Sequence, residues 1–508
     1  MGNGEWGMGN GVMKKLHVYN TRSRRKELFE PMESGRVGMY VCGITAYDYC
    51  HLGHARCYVA FDVIYRYLKY LGYQVTYIQN ITDLDDKLIA KAQEEGGEGD
   101  IKSRVADIAR RYTEAYFKDT DRLNIIRAGS YPTATGNIPE MQEIISGLIE
   151  KGYAYQRDGD VFFEVSSFPD YGSLSGKNLK DLRAGARVKI DEKKKSPLDF
   201  ALWKSAAPGE PSWPSPWGEG RPGWHIECSA MSMKLLGPSF DIHGGGQDLI
   251  FPHHENERAQ SEAYSGRPFA RYWLHNGFVT INQEKMSKSL GNVFNLRDIF
   301  QRYSPRVVRF FLLGQHYRSP VDYSEDALKE AKRALFRLDN CYGMVLEEVG
   351  DISSITLDED SMREFESAMN DDFNTAAALA VAYKLAEEWY RNYRKPDLLE
   401  SLKSKMAALK KICAILGVEL INPIHDVLKS AQSINLSDYP GLADRIIREG
   451  KLTEENIGTL VLCREEARKN KDWARADRIR DYLKGREIMV MDRPGRGPGI
   501  VYYPEQLD

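Results

Sequence analysis

The sequence predicts an α/β protein in which a parallel-sheet domain is followed by an all-α helical bundle and a small C-terminal domain. Three observations predict it: a strand-helix-strand pattern near the start, purely helical periodicity after Ser324, and a mixed-charge helix leading into a Gly- and Pro-punctuated tail. The expected division is a flexible extension over 1–15, the sheet domain over 16–323, the bundle over 324–420, a linker over 421–450 and the C-terminal region over 451–508.

The first strand is Val37 to Cys42 (VGMYVC), an apolar run closed by Gly43. Phe61, Ile64, Tyr65 and Leu68 then recur at helical spacing, and after Gly72 a second β-branched and aromatic run, Val75 to Gln79, completes a βαβ unit. Such units build parallel sheets, whose ligands bind at the carboxyl ends of the strands. Val161 to Val165 and Phe278 to Ile281 are further strand candidates, and Lys193 to Pro222, rich in Pro, Gly and Trp, reads as irregular backbone. In the bundle, Leu328, Ala331, Leu335, Leu338, Tyr342 and Val345 form one apolar stripe, Leu399 to Leu416 another, and Thr375 to Tyr390 lies between them. Ile421 to Leu436 is polar and reads as linker. Glu454 to Leu483 reads as one helix, and Ile488 to Tyr503 as a short strand-like stretch.

The chain has 508 residues, 42% hydrophobic and 28% charged, which suits about three folded domains and excludes both a disordered chain and a small disulfide scaffold. Net charge is -3, so a polyanionic partner must be met by local basic surface rather than by a global field. Seven cysteines, three of them (Cys42, Cys50, Cys57) within sixteen residues, point to metal or thiol chemistry in a reducing compartment. No run approaches the ~20 apolar residues of a membrane span, and the first dozen residues lack signal or transit character, so a cytoplasmic protein is expected.

Two short strings carry the chemistry. His51-Leu52-Gly53-His54 lies between the first strand and its helix, where two imidazoles and helix N-terminal amides suit phosphate; alone, it reads first as a pair of surface or capping histidines. Lys285-Met286-Ser287-Lys288-Ser289 puts two lysines and two serines on a Gly-bounded loop, a clamp for a triphosphate whose leaving pyrophosphate gathers charge. Together they resemble the paired H-I-G-H and K-M-S-K-S signatures of class I aminoacyl-tRNA synthetases, with Leu52 replacing Ile as a volume-conserving apolar swap.

Within that class, Cys42 to His54 (CGITAYDYCHLGH), Asn80 to Lys87 (NITDLDDK), Gly223 to Ser229 (GWHIECS) and Asp241 to Glu257 (DIHGGGQDLIFPHHENE) resemble the cysteinyl-tRNA synthetase family. The resemblance runs from about Leu16 through Leu483. It implies a Rossmann-type catalytic domain, a C-terminal anticodon-binding domain, and one zinc ion per chain on Cys42, Cys228, His253 and Glu257. It further implies that Gly43, Thr82 and Trp224 line a cysteine pocket. For ATP with Mg2+ it implies Gly53, Lys87, His243, Gly245, Ser287 and Lys288, while His51, His54, Lys285 and Lys288 serve catalysis. The residues alone support part of this. Pro252 suits a helix N1 position, which puts His253 and Glu257 at i and i+4 on one face, although His254 with Glu257 at i+3 is equally open, as is the choice among Cys42, Cys50 and Cys57. Thr82, with Asp85 three residues on, also reads as a helix cap, and the glycines after His243 as a loop against adenosine.

A metal has a physical purpose in such a pocket. Cysteine and serine differ by one atom, an apolar site separates near-isosteres by only about 10–200-fold, and zinc prefers a thiolate to a neutral hydroxyl. On the RNA side, Arg464 to Arg486 holds nine basic and five acidic residues around Trp473. Arg468 to Asp481 resembles the anticodon-reading part of the family, which makes Arg468, Trp473, Asp477 and Asp492 the candidate contacts. The expected partners are tRNA(Cys), ATP and L-cysteine, with no DNA, no membrane and a monomeric chain. The rival readings are a ligase joining cysteine to an amino sugar, and a catalytically silent tRNA-binding paralogue.

Overall fold

The structure is a computed structural model that describes residues 15–178, 192–281, 284–285, 294–422, 441–450, 453–486, 488–491 and 499–502. Two compact units emerge: Met1–Arg297 with Gln315–Asp322 and Met369–Asn374, and Asp298–Gly314 with Tyr323–Ala368 and Thr375–Asp508.

In the first unit a hairpin of β1 (His17–Asn20) and β2 (Arg25–Leu28) precedes β3 (Arg36–Thr45), α1 (Leu52–Tyr70) and β4 (Gln74–Thr82). Then follow α2 (Asp86–Glu95), α3 (Ile101–Arg122) and α4 (Ile138–Glu150). β5 (Ala154–Arg157), β6 (Asp160–Phe163), β7 (Phe200–Ser205) and β8 (Gly220–Pro222) form an antiparallel sheet. α5 (Trp224–Leu236), β9 (Phe240–Gly246), α6 (Glu255–Ser265) and β10 (Ala270–Asn276) return to the main sheet, and β11 (Val279–Ile281) pairs with β12 (Glu284–Lys285).

The main sheet is parallel throughout, in the order β10-β9-β3-β4. The expected βαβ unit is β3-α1-β4. Its strands are buried on both faces and therefore read as continuous apolar runs rather than alternating ones. Because β4 lies on one side of β3 and β9 on the other, the order of strand addition reverses between β3 and β9, which makes their carboxyl ends the topological switch point where such sheets bind ligands. Those ends carry Cys42 and His243.

The stretch 193–222, expected to be irregular, contains β7 and β8. Both are short, and Pro222 is accommodated at the last position of an edge strand, opposite Trp203, where no ladder amide is required of it. This second sheet packs Phe163, Leu202 and Trp203 with Ile145, Ile226 and Ala259 in one core, so α5 and α6 are clamped from the sheet side. Val165, expected to end a strand, instead starts a short turn, Val165–Ser167.

The second unit is mostly helical: α7 (Pro305–Leu313), α8 (Glu325–Val349), α9 (Glu359–Met369, of which Met369 falls in the first unit), α10 (Thr375–Asn392) and α11 (Leu399–Ile415). The stripes on α8, α10 and α11 are those the spacing predicts, and Leu335, Leu338, Ala382, Trp389, Met406 and Leu409 are buried. α12 (Leu442–Glu449) occupies part of the expected linker. Leu442, Ala443 and Ile446 share a core with Ile457, Leu460 and Val461 of α13 (Glu454–Lys469) and Ile479 and Leu483 of α14 (Trp473–Lys484). The single C-terminal helix of the sequence reading is thus two. Lys471 takes a left-handed φ of +60° and Asp472 caps the next helix by accepting from Arg475 N–H. A hairpin of β13 (Met489–Met491) and β14 (Gly499–Tyr502) closes the described chain.

Candidate active site

Four donor residues converge from three elements of the first unit. Cys42 comes from β3, Cys228 from α5, and His253 and Glu257 from the turn into α6 and from α6 itself. In that turn Phe251 is extended (φ -141°, ψ 130°), so helical geometry resumes beyond it and His253 and Glu257 fall one turn apart as their spacing requires. All four are buried, and their ligand atoms lie within 4.8 Å of one another. Cys42 Sγ is 3.8 Å from Cys228 Sγ and 3.6 Å from Glu257 Oε1, and His253 Nε2 is 2.8 Å from the same oxygen. The ligand atoms of Cys42, His243, His254 and Glu257 also lie within 4.8 Å of one another, so the i+3 alternative is brought close too, with His254 Nε2 3.2 Å from Cys42 Sγ and 4.0 Å from Glu257 Oε1. Cys50 and Cys57 take no part in either group.

Among the residues the sequence reading left aside, His225 and His275 are the most telling. His225 Nδ1 lies 2.9 Å from His253 Nδ1, and a chain of ring contacts links Thr21 Oγ1 to His275, then His254, then Cys42. His243 Nε2 contacts Glu257 Oε2 at 2.7 Å and its ring stacks on Trp273. Electrostatics follow from this crowding. Two thiols this close do not both ionise: the Cys42 contact draws Cys228 down to about 6, whereas burial and its neighbours push Cys42 well up. Burial opposes charge on Glu257, yet His253 and His243 hold its carboxyl well below the usual range. Burial also disfavours the His253 cation, but Glu257 and Cys228 outweigh it and raise the group to about 10. Burial keeps His254 well below the ordinary imidazole range and lowers His275 to about 3, so both are neutral. A buried thiolate, a buried carboxylate and lone-pair-bearing imidazoles make a ready place for a cation.

Trp224, the first residue of α5, is 40% exposed and stacks on His253 at 4.2 Å and 26°, the placement of a cover. Gly43 and Thr82 lie at the adjoining ends of β3 and β4. Thr82 is not the helix cap the spacing suggested. That role belongs to Asp85, whose side chain accepts from Lys87 N–H, while Thr82 is a buried strand residue. The Lys87 ammonium sits 5.0 Å above the Tyr47 ring. His243, expected beside adenosine, is fully buried on Glu257, and the glycines after it continue β9 rather than forming a loop. A Cβ on Gly244 would strike the Phe61 ring, and one on Gly245 the His254 ring and Leu249, so packing explains those glycines.

His51 caps α1, and His51 and His54 each accept from the other's backbone N–H at 3.3 Å, their rings stacked 3.7 Å apart. The capping reading is therefore realised, and the stacked imidazoles with Gly53 sit at the helix N-terminus. Lys285 ends β12, and Ser287 and Lys288 lie outside the described residues. The chain resumes directly beside the first string: Leu52 N–H donates to Phe294 O, and Leu296 N–H to Cys50 O. Residues 294–296 thus lie against the first string. In the second unit, Trp473 begins α14 and is 57% exposed; Asp477, one turn on, pairs with Arg480; Arg468 lies in the last turn of α13; and Asp492 is outside the described residues.

Comparison with known proteins agrees with this geometry. Residues 28–333 match the family model for tRNA synthetases class I (C) catalytic domain, 364–420 the DALR domain, and 454–497 the cysteinyl-tRNA ligase anticodon binding domain. A cysteine-tRNA ligase of Thermodesulfovibrio yellowstonii is 48% identical over 505 residues, covering 95% of this chain and 98% of that protein. The chain belongs to the cysteine-tRNA ligase family. Another member, from Carboxydothermus hydrogenoformans, is 49% identical over 94% of this chain and 98% of its own. Solved structures place the family's fold among the class I synthetases. The methionyl-tRNA synthetase of Mycobacterium tuberculosis matches at a TM-score of 0.53 (16% identity, 77% of this chain, 90% of that one), and the leucyl enzyme of Agrobacterium radiobacter at 0.56 (11%, 77% and 87%). No helix among the described residues is long and apolar enough to cross a membrane.

Proposed function

We propose that this ligase activates L-cysteine with ATP and Mg2+, passes it to the 3′ end of tRNA(Cys), and distinguishes it from serine at one zinc ion held by Cys42, Cys228, His253 and Glu257. The separations from Cys42 Sγ carry the metal reading. A tetrahedral zinc with ~2.3 Å bonds to sulfur and ~2.1 Å bonds to oxygen sets its ligands about 3.8 Å apart for two sulfurs and about 3.6 Å for sulfur and oxygen. The corresponding distances are 3.8 Å for Cys42 to Cys228 and 3.6 Å for Cys42 to Glu257. Two thiols, an imidazole and a carboxylate also suit zinc over harder cations.

The alternative group then becomes the supporting layer. His243 takes the second oxygen of Glu257, His254 backs Cys42, and His225 backs His253, the kind of contact that orients ligands around a metal. Bound there, zinc supplies a soft acceptor for the substrate's sulfur, and a ~10⁴-fold preference over serine corresponds to about 5.5 kcal/mol.

The chain's own groups do the rest. Trp224 covers the pocket, and Gly43 and Thr82 line it. At the switch-point crevice the α1 N-terminus, with His51, Gly53 and His54, holds phosphate oxygens. Lys285, Ser287 and Lys288 neutralise the departing pyrophosphate, and Lys87 and Gly245 border the nucleotide. Positioning and electrostatics suffice, with no covalent enzyme intermediate. Trp473 offers an exposed ring for a splayed base, beside Arg468, Asp477 and Asp492. The anticodon-domain match over 454–497 favours tRNA over an amino sugar as acceptor. A monomer in the cytoplasm completes the reading.

The test is charging of total tRNA with labelled cysteine, beside serine and a zinc-chelated control. Labelling with cysteine only, lost on chelation, supports the proposal. Cysteine-dependent pyrophosphate exchange without labelled tRNA would overturn the acceptor.

A further inference from the structure

The register between β3 and β4 is interrupted where the pocket begins. Val41 pairs with Gln79 and Ile44 with Ile81, so Cys42 and Gly43 together face the single residue Asn80. This is a β-bulge, a device that re-aims a side chain at the expense of ladder hydrogen bonds. The lost bond is replaced from the side: Gly43 N–H donates to Asn80 Oδ1 at 2.8 Å. A Cβ on Gly43 would lie 1.6 Å from Asn80 O, so the strands close in as only glycine permits.

From there a chain of bonds crosses the pocket. With its oxygen committed to Gly43, the Asn80 amide presents Nδ2 to Thr82 Oγ1 at 3.2 Å, and the Thr82 hydroxyl donates to Glu227 Oε2, also at 3.2 Å. Asn80, Thr82 and Glu227 are all buried. The two ends of the chain are informative. Gly43 directly follows Cys42 and Glu227 directly precedes Cys228, the two residues whose sulfurs meet 3.8 Å apart. Backbone, hydrogen bonds and the sulfur pair thus close a ring that joins β3, β4 and α5.

We propose that Asn80 and Glu227 are positioning residues of the cysteine pocket, holding Cys42 and Cys228 at their mutual distance and fixing the Thr82 hydroxyl so that its oxygen accepts from the substrate's ammonium group. This rests on the reading of Cys42, Cys228 and Thr82 given above. An ammonium has donors only, so a hydroxyl whose own proton is already committed to a carboxyl oxygen is a better partner than one free to rotate. Stranding one member of a buried chain costs on the order of a tenfold change in an equilibrium constant.

The experiment compares full-length wild type with Asn80→Ala, Glu227→Ala, Glu227→Gln and Thr82→Val, all checked for fold by circular dichroism. Zinc release to a colorimetric chelator is measured without substrate, and KM for cysteine and for ATP are measured by pyrophosphate exchange. Asn80→Ala and Glu227→Ala should release zinc about tenfold faster and raise KM for cysteine about tenfold, with KM for ATP changed less than about twofold. Thr82→Val should raise the cysteine KM alone. Glu227→Gln, which keeps an acceptor oxygen in the same place, should recover most of the Glu227→Ala loss; because it is nearly isosteric, it carries the test if an alanine variant does not fold. Unchanged zinc release and cysteine KM in folded variants would overturn the proposal, as would equal losses for cysteine and ATP. Wild type that neither holds zinc nor exchanges pyrophosphate with cysteine would overturn the pocket reading itself, an outcome distinct from failure in the variants alone.

Discussion

Cys42 and Cys228 are 186 residues apart in the chain, yet their sulfurs lie 3.8 Å from each other in a fully buried site. That separation is far beyond the ~2.05 Å of a disulfide and equals that of two sulfurs on one tetrahedral zinc. Replacing either residue by serine should lower zinc affinity by about a hundredfold or more, since each ligand carries a comparable share of a ~10–16 kcal/mol site. Cys50→Ser and Cys57→Ser should leave zinc content at one per chain. Metal analysis after dialysis against a graded chelator decides between them.

Gly43→Ala inserts a methyl group 1.6 Å from the Asn80 carbonyl oxygen. The two strands must part to accept it, which should cost about 3 kcal/mol and lower the melting temperature of the sheet unit by several degrees. Gly72→Ala is the contrast. Open space surrounds that site, but its φ of +89° strains any side chain, so a smaller loss of about 1 kcal/mol is expected. Thermal melts of both variants make the comparison, and equal losses would refute the steric account.

Trp473→Ala should weaken tRNA while leaving amino-acid activation alone. A stacked base is worth about 1–3 kcal/mol, so KM for tRNA should rise about 5–150-fold, with pyrophosphate exchange unchanged. The ring's 57% exposure makes loss of stability a poor alternative explanation. Aminoacylation and exchange assays on the same preparation separate the two halves of the reaction.

Asp339 in α8 gives the helical unit a pH dependence. Burial raises its carboxyl to about 6, although Arg306 at 2.8 Å and the Ile421 amide at 3.0 Å pull the other way. The folded form therefore binds the proton more tightly than the unfolded chain, whose value is ~3.9. Stability present below pH ~4 is lost as pH rises through about 6, a loss of about 3 kcal/mol for this group. Relative to wild type, Asp339→Asn should gain that amount between pH 4 and pH 7. Urea midpoints at the two pH values test it, and a constant difference would refute it.

Much of this molecule was legible in the linear sequence because its information is local. The βαβ opening follows from apolar runs and glycine stops between Val37 and Gln79, and the bundle from the stripes of α8 and α11. The HLGH and KMSKS strings are recognisable as they stand, and His253 and Glu257 share a face by their spacing alone. Where the reading failed, a neighbour overrode local preference. The Pro-rich stretch 193–222 gains β7 and β8 from antiparallel partners, Thr82 is a strand residue because β3 runs beside it, and the C-terminal helix breaks where Lys471 turns left-handed.

Register and convergence come from packing. That Cys42 rather than Cys50 or Cys57 meets Cys228 depends on a bulge, which exists only when two strands are laid side by side. The gathering of His225, His254 and His275 around Cys42 and His253 depends on contacts between residues up to 254 positions apart, over which no sequence periodicity extends. Local sequence accounts for most of the elements and for the motifs they carry, whereas the packing of a parallel sheet at its switch point decides which of those side chains meet, because that meeting joins residues far apart in the chain.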